Sequence, residues 1–382
     1  MAMKQLTVGP IADNRNPPGD HSMVAEKKRA ICFTLWFRTH NNPRYADLFP
    51  RLTDVVQFRK LTLSDRRFVR GLQFRLWKTL RENVFYPAIA RYIADGYPTV
   101  FTVDTRQIPA WPKTQRVVVD VDDPVFDSTE IETLKLPQVK AIVVTTEQAR
   151  AIYRGHGITC PIHVIRPGVS IEAIDPCRAE EIRQNFKRES DVIIAYHAPT
   201  LTLSCDWLGR ARDGQDDLDF LFAAFEKARG REPLIKLWLF GQASASVKEY
   251  VAERQARSIK IFGYIPFSDL LNYIASVDIG VYPRTWVQPP GRFNVKLAQF
   301  MACGIPVVST DLDESFIVRE TGCGIVCKSQ EDFAQALVGL AQSAEKRAEL
   351  GNAGRIYAKT NLDWSVLVPI YRDILNEVDH GS

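Results

Sequence analysis

The sequence predicts an α/β protein made of two Rossmann-like, doubly wound domains facing a central cleft. Three observations predict it. Short apolar runs alternate with helical stretches along most of the chain, which is the pattern of a mainly parallel sheet covered on both faces. The pattern stops at a polar stretch near the middle and then restarts. The length of 382 residues exceeds one ordinary domain and suits two.

The first domain is expected over residues 30–175, after a flexible polar leader over residues 1–29 that carries Pro17-Pro18-Gly19. Ala30 to Phe37 reads as a buried strand, followed by a second run at Asp54 to Phe58. Residues 66–93 read as helical. Strands are expected at Thr99 to Val103, Arg116 to Val121 and Ala141 to Thr145, then a helix at Glu147 to His156 and a strand at Ile162 to Ile165. Arg166-Pro167-Gly168-Val169 and the polar stretch to about Ser190 read as a linker.

The second domain is expected over residues 190–360. Its strands are Val192 to Tyr196, Ile235 to Phe240, Ile259 to Phe262, Val277 to Tyr282 and Pro306 to Ser309. Its helices are Leu218 to Lys227, Lys248 to Arg257, Ser268 to Ala275, Val295 to Cys303 and Glu331 to Ala341. Residues 361–382 hold an amphipathic helix, Trp364 to Val378, expected to cross back onto the first domain. The strand C-termini of both sheets should face the cleft, where ligands bind in such folds.

Composition narrows the function classes. Hydrophobic residues make up 46% and charged residues 25% of the chain, average values for a globular protein. A net charge of +4 over this length is mild and does not predict nucleic-acid binding. The 7 cysteines are scattered, odd in number and without a zinc-type spacing, so reduced thiols and no metal are expected. The leader lacks the apolar core of a signal peptide, and no run approaches the ~18 apolar residues of a membrane span. A cytoplasmic protein is expected.

The most informative stretch is Phe293 to Ser309. A loop opens a helix whose N-terminus points at the expected cleft, and helix N-termini offer unpaired N–H groups to a diphosphate. Lys296 falls in the first turn, where a cation is unfavourable for the helix itself. An anion arriving beside it gives that placement a reason; a solvated lysine at a loop-to-helix junction reads the same in sequence.

The segment from roughly 192 to 345 resembles the C-terminal domain of family-4 retaining glycosyltransferases of the GT-B fold. Gly291-Arg292-Phe293-Asn294, running into Gln299-Phe300-Met301-Ala302-Cys303-Gly304-Ile305-Pro306-Val307-Val308, matches the family's E-G-F-G-x-x-x-x-E-A-M-A-x-G-x-P-V-V pattern with both glutamates replaced. Phe262 to Pro266, Leu270 to Pro283 and Leu237 to Gly241 match the preceding strand, helix and loop motifs. His163-Val164-Ile165-Arg166-Pro167-Gly168-Val169 looks like the segment that ends the family's first domain. The resemblance covers about half the chain well, and the first half only in strand order.

The resemblance implies a hexosyltransferase with a nucleotide sugar as donor substrate, no separate cofactor and no metal. Asn294, Val295 and Lys296 fall where the family meets the diphosphate and sugar, with Phe293 beside them. Gln299 falls on the ribose-binding glutamate and Gly291 on the sugar-binding one. Tyr264 and Ile265 fall on the loop that receives the base, and Gly241 on the strand that ends at the donor. The family's leaving-group cations lie after the first strand of this domain; in the long stretch His197 to Asp217 the candidates are Arg210 and Arg212. A retaining transfer builds negative charge on the β-phosphate, so a positioned cation is required there.

In the first domain the loop Arg38 to Arg44 falls where the family approaches the donor phosphates, with Asn41 and Asn42 in place of glycines. Asp120-Val121-Asp122-Asp123-Pro124 follows a strand, and Asp122 reads either as a turn cap or as an acceptor-orienting carboxylate. Residues 66–82 are basic and aromatic with apolar positions at helical spacing. They fit a helix packed on its own sheet or one lying on an anionic membrane surface. A UDP-sugar donor, a glycan or lipid-linked acceptor and a role in polysaccharide assembly follow as expectations. The rival readings are a degenerate glycosyltransferase that binds nucleotide sugar with little activity, a GT-B-like sugar-nucleotide epimerase and a two-lobed binding protein. The chain has no G-x-G-x-x-G after its first strand, which speaks against a nicotinamide enzyme.

Overall fold

The computed structural model describes residues 8–10, 30–35, 43–61, 97–203, 218–253 and 258–381. The chain forms two compact units. The first runs to Arg166 and takes in Pro289–Phe293 and the residues from Ser365; the second comprises Pro167–Gln288 and Asn294–Trp364.

The first unit is built on a 7-stranded sheet, β1 (Val8–Pro10), β2 (Ala30–Leu35), β3 (Val56–Leu61), β4 (Thr99–Thr102), β5 (Arg116–Val121), β6 (Val139–Val144) and β7 (Ile162–Val164), in the order β1-β3-β2-β4-β5-β6-β7. Neighbours are parallel except β1, which pairs antiparallel with β3, Val8 opposite Leu61. Residues 8–10, within the stretch expected to be a flexible leader, are thus an edge strand of this sheet. Pro10 sits at the end of this edge strand, a position where sheets accept proline.

Helix α1 (Pro43–Arg51) follows β2; α2 (Ser128–Leu134) and α3 (Glu147–Gly155) cover the sheet further along. Asp127 caps α2 by accepting the Glu130 N–H, and Thr146 caps α3 by accepting from Ala149. Val100, Val117, Val119, Ile142, Val144 and Tyr153 form the buried core beneath them. The C-terminal helix, Trp364–His380, packs on this unit through the buried Tyr371, whose ring meets Phe101 edge-on at 6.1 Å. Residues 66–93, read as helical and carrying the basic stretch 66–82, lie outside the described residues.

The second unit begins with a correction. Helix α4 (Pro176–Phe186) occupies the stretch read as a linker. The Asp175 carboxylate accepts the N–H groups of Cys177 and Arg178, and Pro176 sits in the first turn with φ already set for a helix. The 6-stranded sheet comprises β8 (Val192–Leu201), β9 (Ile235–Ala243), β10 (Ile259–Gly263), β11 (Ile279–Tyr282), β12 (Val307–Thr310) and β13 (Gly324–Cys327), ordered β10-β9-β8-β11-β12-β13 and parallel throughout. Strand order reverses between β8 and β11, the topological switch point where doubly wound sheets open a crevice at their strand C-termini.

Helices α5 (Leu218–Arg231), α6 (Ala245–Glu253), α7 (Phe267–Ala275), α8 (Val295–Ala302), α9 (Phe316–Thr321), α10 (Gln330–Gln342) and α11 (Ala344–Asn361) complete the unit. Phe222, Phe225, Leu237, Leu239, Val281 and Phe333 are among the side chains that fill its main core. Helix α11 packs against α8 through glycines: a Cβ on Gly351 would strike the Gly304 carbonyl, and one on Gly354 would press on Met301. At the unit's two ends Val169 pairs with Asp363 in a parallel bridge, and the Val169 N–H donates to the Leu362 carbonyl at 2.8 Å. Gly168 leaves room there for the buried Trp364 ring.

Candidate functional site

At the switch point of the second unit, β8 runs through Tyr196 and His197 on its way to Leu201, and β11 ends at Tyr282. Both tyrosines are buried. The N-terminus of α8 is fixed by Asn294, an N-cap with extended backbone whose side-chain oxygen accepts the Lys296 N–H at 3.0 Å. The amide nitrogen of Asn294 donates to the Tyr282 hydroxyl at 3.0 Å. That hydroxyl in turn lies 3.5 Å from Glu314 Oε2.

Glu314 is itself buried and lies 3.6 Å from the buried Arg284 guanidinium, so the two charges compensate each other. Arg284 is held further by the Trp286 ring, 4.5 Å from its Cζ, while the Thr310 hydroxyl donates to its backbone carbonyl. The Lys296 ammonium donates to the Tyr196 hydroxyl at 3.3 Å and sits 4.8 Å from that ring's centroid. A cation resting on an aromatic face, beside the positive end of a helix, makes this corner electropositive. An anion is the ligand that such a corner attracts.

Asn294, Val295 and Lys296 are therefore brought together with Tyr196 and Tyr282, which sequence reasoning did not single out. Arg284 and Glu314 were missed too; an arginine just past Pro283, after the β11 run Ile279–Tyr282, was the available signal. Gln299, on the same helix, is buried at 3% exposure. His197 packs edge-on against Phe300 with ring centroids 5.3 Å apart. Tyr264 and Ile265 follow β10, Tyr264 exposed at 68% and Ile265 partly buried. Gly241 lies within β9 rather than at its end, at φ +145°, and a Cβ there would collide with the Ala198 carbonyl of β8. Its need for glycine is thus met by strand packing alone.

In the first unit Gly291 adopts φ +80°. Its N–H donates to Gln148 Oε1 at 2.9 Å, and its carbonyl accepts from the Thr146 hydroxyl at 2.8 Å. A Cβ on Gly291 would lie 2.9 Å from the Ala149 side chain. The residue at the family's glutamate position is therefore shaped for a backbone that has no space for a side chain. Phe293 is buried in the same short segment.

Asp120, within β5, is fully buried and held by Arg44 and Tyr371, whereas Asp122, just past the strand, is 17% exposed and 3.9 Å from the Arg44 guanidinium. Asn41, Arg210 and Arg212 lie outside the described residues. Among the described residues no His, Cys, Asp and Glu cluster could hold a metal ion, and no helix is long and apolar enough to cross a membrane.

Comparison with known proteins places this geometry. Residues 205–343 match the family described as Glycosyl transferases group 1. A GDP-mannose-dependent monoacylated α-(1-6)-phosphatidylinositol monomannoside mannosyltransferase of Corynebacterium glutamicum is 22% identical over 207 residues. That match spans 52% of this chain and 52% of the relative, about half the relative's length. Among solved structures, sucrose-phosphate synthase of Thermosynechococcus elongatus superposes with a TM-score of 0.70 at 16% identity, covering 93% of this chain and 100% of the other. HepE of Anabaena, in complex with UDP and glucose, gives 0.65 at 15% identity over 91% of this chain and 100% of that one. Likeness at such identities establishes the fold over nearly the whole length, and the family match independently covers the Asn294–Lys296 corner and every strand of its sheet except β8. Residues 205–343 are thus similar to the Glycosyl transferases group 1 family, in a chain that has the GT-B fold.

Proposed function

We propose that this protein transfers a hexose, with retention, from a nucleotide sugar to a glycan or lipid-linked acceptor in polysaccharide or glycolipid assembly. The observation that carries the reading is the electropositive corner at the switch point, where Lys296 and the first amides of α8 converge. As the glycosidic bond breaks, negative charge grows on the β-phosphate of the leaving nucleotide. A prepositioned ammonium and helix N–H groups stabilise that charge in the transition state more than in the ground state. Arg210 and Arg212 are proposed to add to this charge.

Gln299 is proposed to bond the ribose diol as a neutral amide, with weaker bonds than a carboxylate would make. Tyr264 and Ile265 are proposed to receive the base through their backbone. Asp122 is the proposed acceptor-orienting carboxylate, and residues 66–82 the proposed contact with an anionic membrane surface on the cytoplasmic side. The preferred donor is a UDP-hexose, in line with the UDP and glucose held by HepE of Anabaena. The mannosyltransferase of Corynebacterium glutamicum makes GDP-mannose the rival donor.

The deciding experiment is transfer and hydrolysis against a panel of UDP-, GDP- and ADP-sugars, with and without EDTA. Transfer from one donor, unaffected by EDTA, and a loss of roughly 100-fold or more in Lys296→Ala is the expected outcome. Unchanged transfer in Lys296→Ala would overturn the assignment. A second reading, a protein that binds nucleotide sugar with little turnover, is favoured by Gly291 and Gln299. It predicts binding of the same donor with no transfer to any acceptor.

A further inference from the structure

The first turn of α8 is already capped from within. Asn294 Oδ1 takes the Lys296 N–H at 3.0 Å, one of the donors that a phosphate at this helix end would need. The capping amide is held in turn: its Nδ2 donates to the Tyr282 hydroxyl at 3.0 Å, and that hydroxyl reaches the buried Glu314 at 3.5 Å. This second contact fixes which way the amide points, with nitrogen toward the phenol and oxygen toward the helix. In the family pattern this position is a glycine, which has no side chain to offer. Here an uncharged internal ligand occupies the place of the anionic one.

We infer that Asn294 is a gating side chain of the donor site: the diphosphate of a nucleotide displaces its oxygen from the Lys296 N–H, so the protein trades an internal cap for a bound phosphate. This rests on the reading of the site proposed above. The exchange is chemically matched, because the N–H keeps one acceptor throughout and the incoming acceptor is charged, which makes the stronger bond. Removing the internal competitor therefore raises affinity for the diphosphate alone. Glycine is itself an accepted helix N-cap, so the helix survives the substitution.

The test measures binding of UDP, GDP, uridine and guanosine to the full chain by calorimetry, for the wild type, Asn294→Gly and Asn294→Asp. Asn294→Gly should bind the preferred diphosphate roughly 2- to 10-fold more tightly, the range set by one net hydrogen bond. Its affinity for the matching nucleoside should not change. Asn294→Asp keeps a good cap and adds a charge, so it should bind the diphosphate more weakly than wild type. A purely structural cap would leave the ratio of diphosphate to nucleoside affinity unchanged in Asn294→Gly, the variant that decides, because the added charge of Asn294→Asp repels a phosphate in either case. Equal diphosphate binding by wild type and a folded Asn294→Gly, or weaker binding by that variant, overturns the gate and leaves the donor site standing. Failure of the wild type and both variants to bind either diphosphate overturns the donor-site reading and the gate with it.

Discussion

The guanidinium of Arg44 donates to both carboxylate oxygens of Asp120, at 3.1 and 3.2 Å, and neither side chain is more than 1% exposed. The pair ties the helix after β2 to the end of β5. The Tyr371 hydroxyl joins it, accepting from Arg44 and donating to Asp120, each at 2.6 Å. Through Tyr371 the C-terminal helix is bound to the sheet by a buried polar triad.

Removing one charge from this triad should cost far more than removing the phenol. Asp120→Asn takes the nearest carboxylate from the buried Arg44 charge, with Asp122 further off at 3.9 Å. A loss of about 3–5 kcal/mol is expected. Tyr371→Phe forfeits hydrogen bonds but no charge balance, and about 1–3 kcal/mol is expected. Urea unfolding of the two variants checks the order. Equal losses would mean that the ion pair carries no special weight.

Gly241→Ala should destabilise the second unit. The alanine would have to adopt φ +145° and push its Cβ into the Ala198 carbonyl. The backbone conformation alone costs about 1–3 kcal/mol. A melting temperature within a degree of wild type would contradict the clash. Because Gly241 belongs to the strand pair β8–β9, nucleotide affinity should fall only as far as the folded fraction falls.

Restoring the family's glutamate at Gly291 should fail to improve sugar transfer. Gly291→Glu places a side chain at φ +80° against Ala149 and displaces the backbone from Gln148 and Thr146. Reduced stability and no gain in turnover are expected from parallel melting and transfer assays. A gain in turnover at unchanged stability would show that the segment accommodates the side chain after all.

Stability should fall in alkali. Burial pushes the Cys327 thiol up to about 12, with Asp332 adding to the shift, and burial raises the Cys303 thiol as well. An unfolded thiol titrates near ~8.5. Below that value both states keep the proton and the contribution to stability is intact. Above it the unfolded chain loses the proton that the folded chain still holds, so unfolding is drawn forward until pH passes the folded value. Urea midpoints should therefore drop between about pH 8 and about pH 10. The drop should be smaller in the Cys303→Ala, Cys327→Ala double variant; an identical drop would assign the effect to other groups. Thiol-directed labelling at neutral pH should reach the exposed Cys177 and spare the buried Cys303, Cys323 and Cys327.

Much of the second unit was legible in the sequence because its strands are short, apolar and closed by glycine or proline. The run Phe262-Gly263-Tyr264-Ile265-Pro266 and the helix opened at Asn294 carry local signals of period and capping. Helix α11 was not legible. Its buried face consists of Leu350, Gly351, Gly354 and Ala358, so close backbone packing replaces the apolar stripe that marks an amphipathic helix. Helix α4 was misread as linker because its polar composition outweighed the Asp175-Pro176 start signal. In the site, Lys296 and Asn294 could be read from position, but their partners Tyr196, Tyr282 and Glu314 come from separate elements. Only the sheet order brings those side chains together, and single-sequence patterns do not contain it. The Arg44–Asp120 pairing was hidden for the same reason.

The parallel bridge between Val169 and Asp363 makes the second unit a cassette whose two ends already meet. Such a cassette can be moved between related chains with joints at Pro167 and Trp364, without a linker to span a gap. One short piece must not travel with it. Pro289–Phe293 belongs to the first unit, and Gly291 is fastened there by Gln148 and Thr146. A chimera that respects this seam keeps both the Val169–Asp363 bridge and the contacts that hold Gly291.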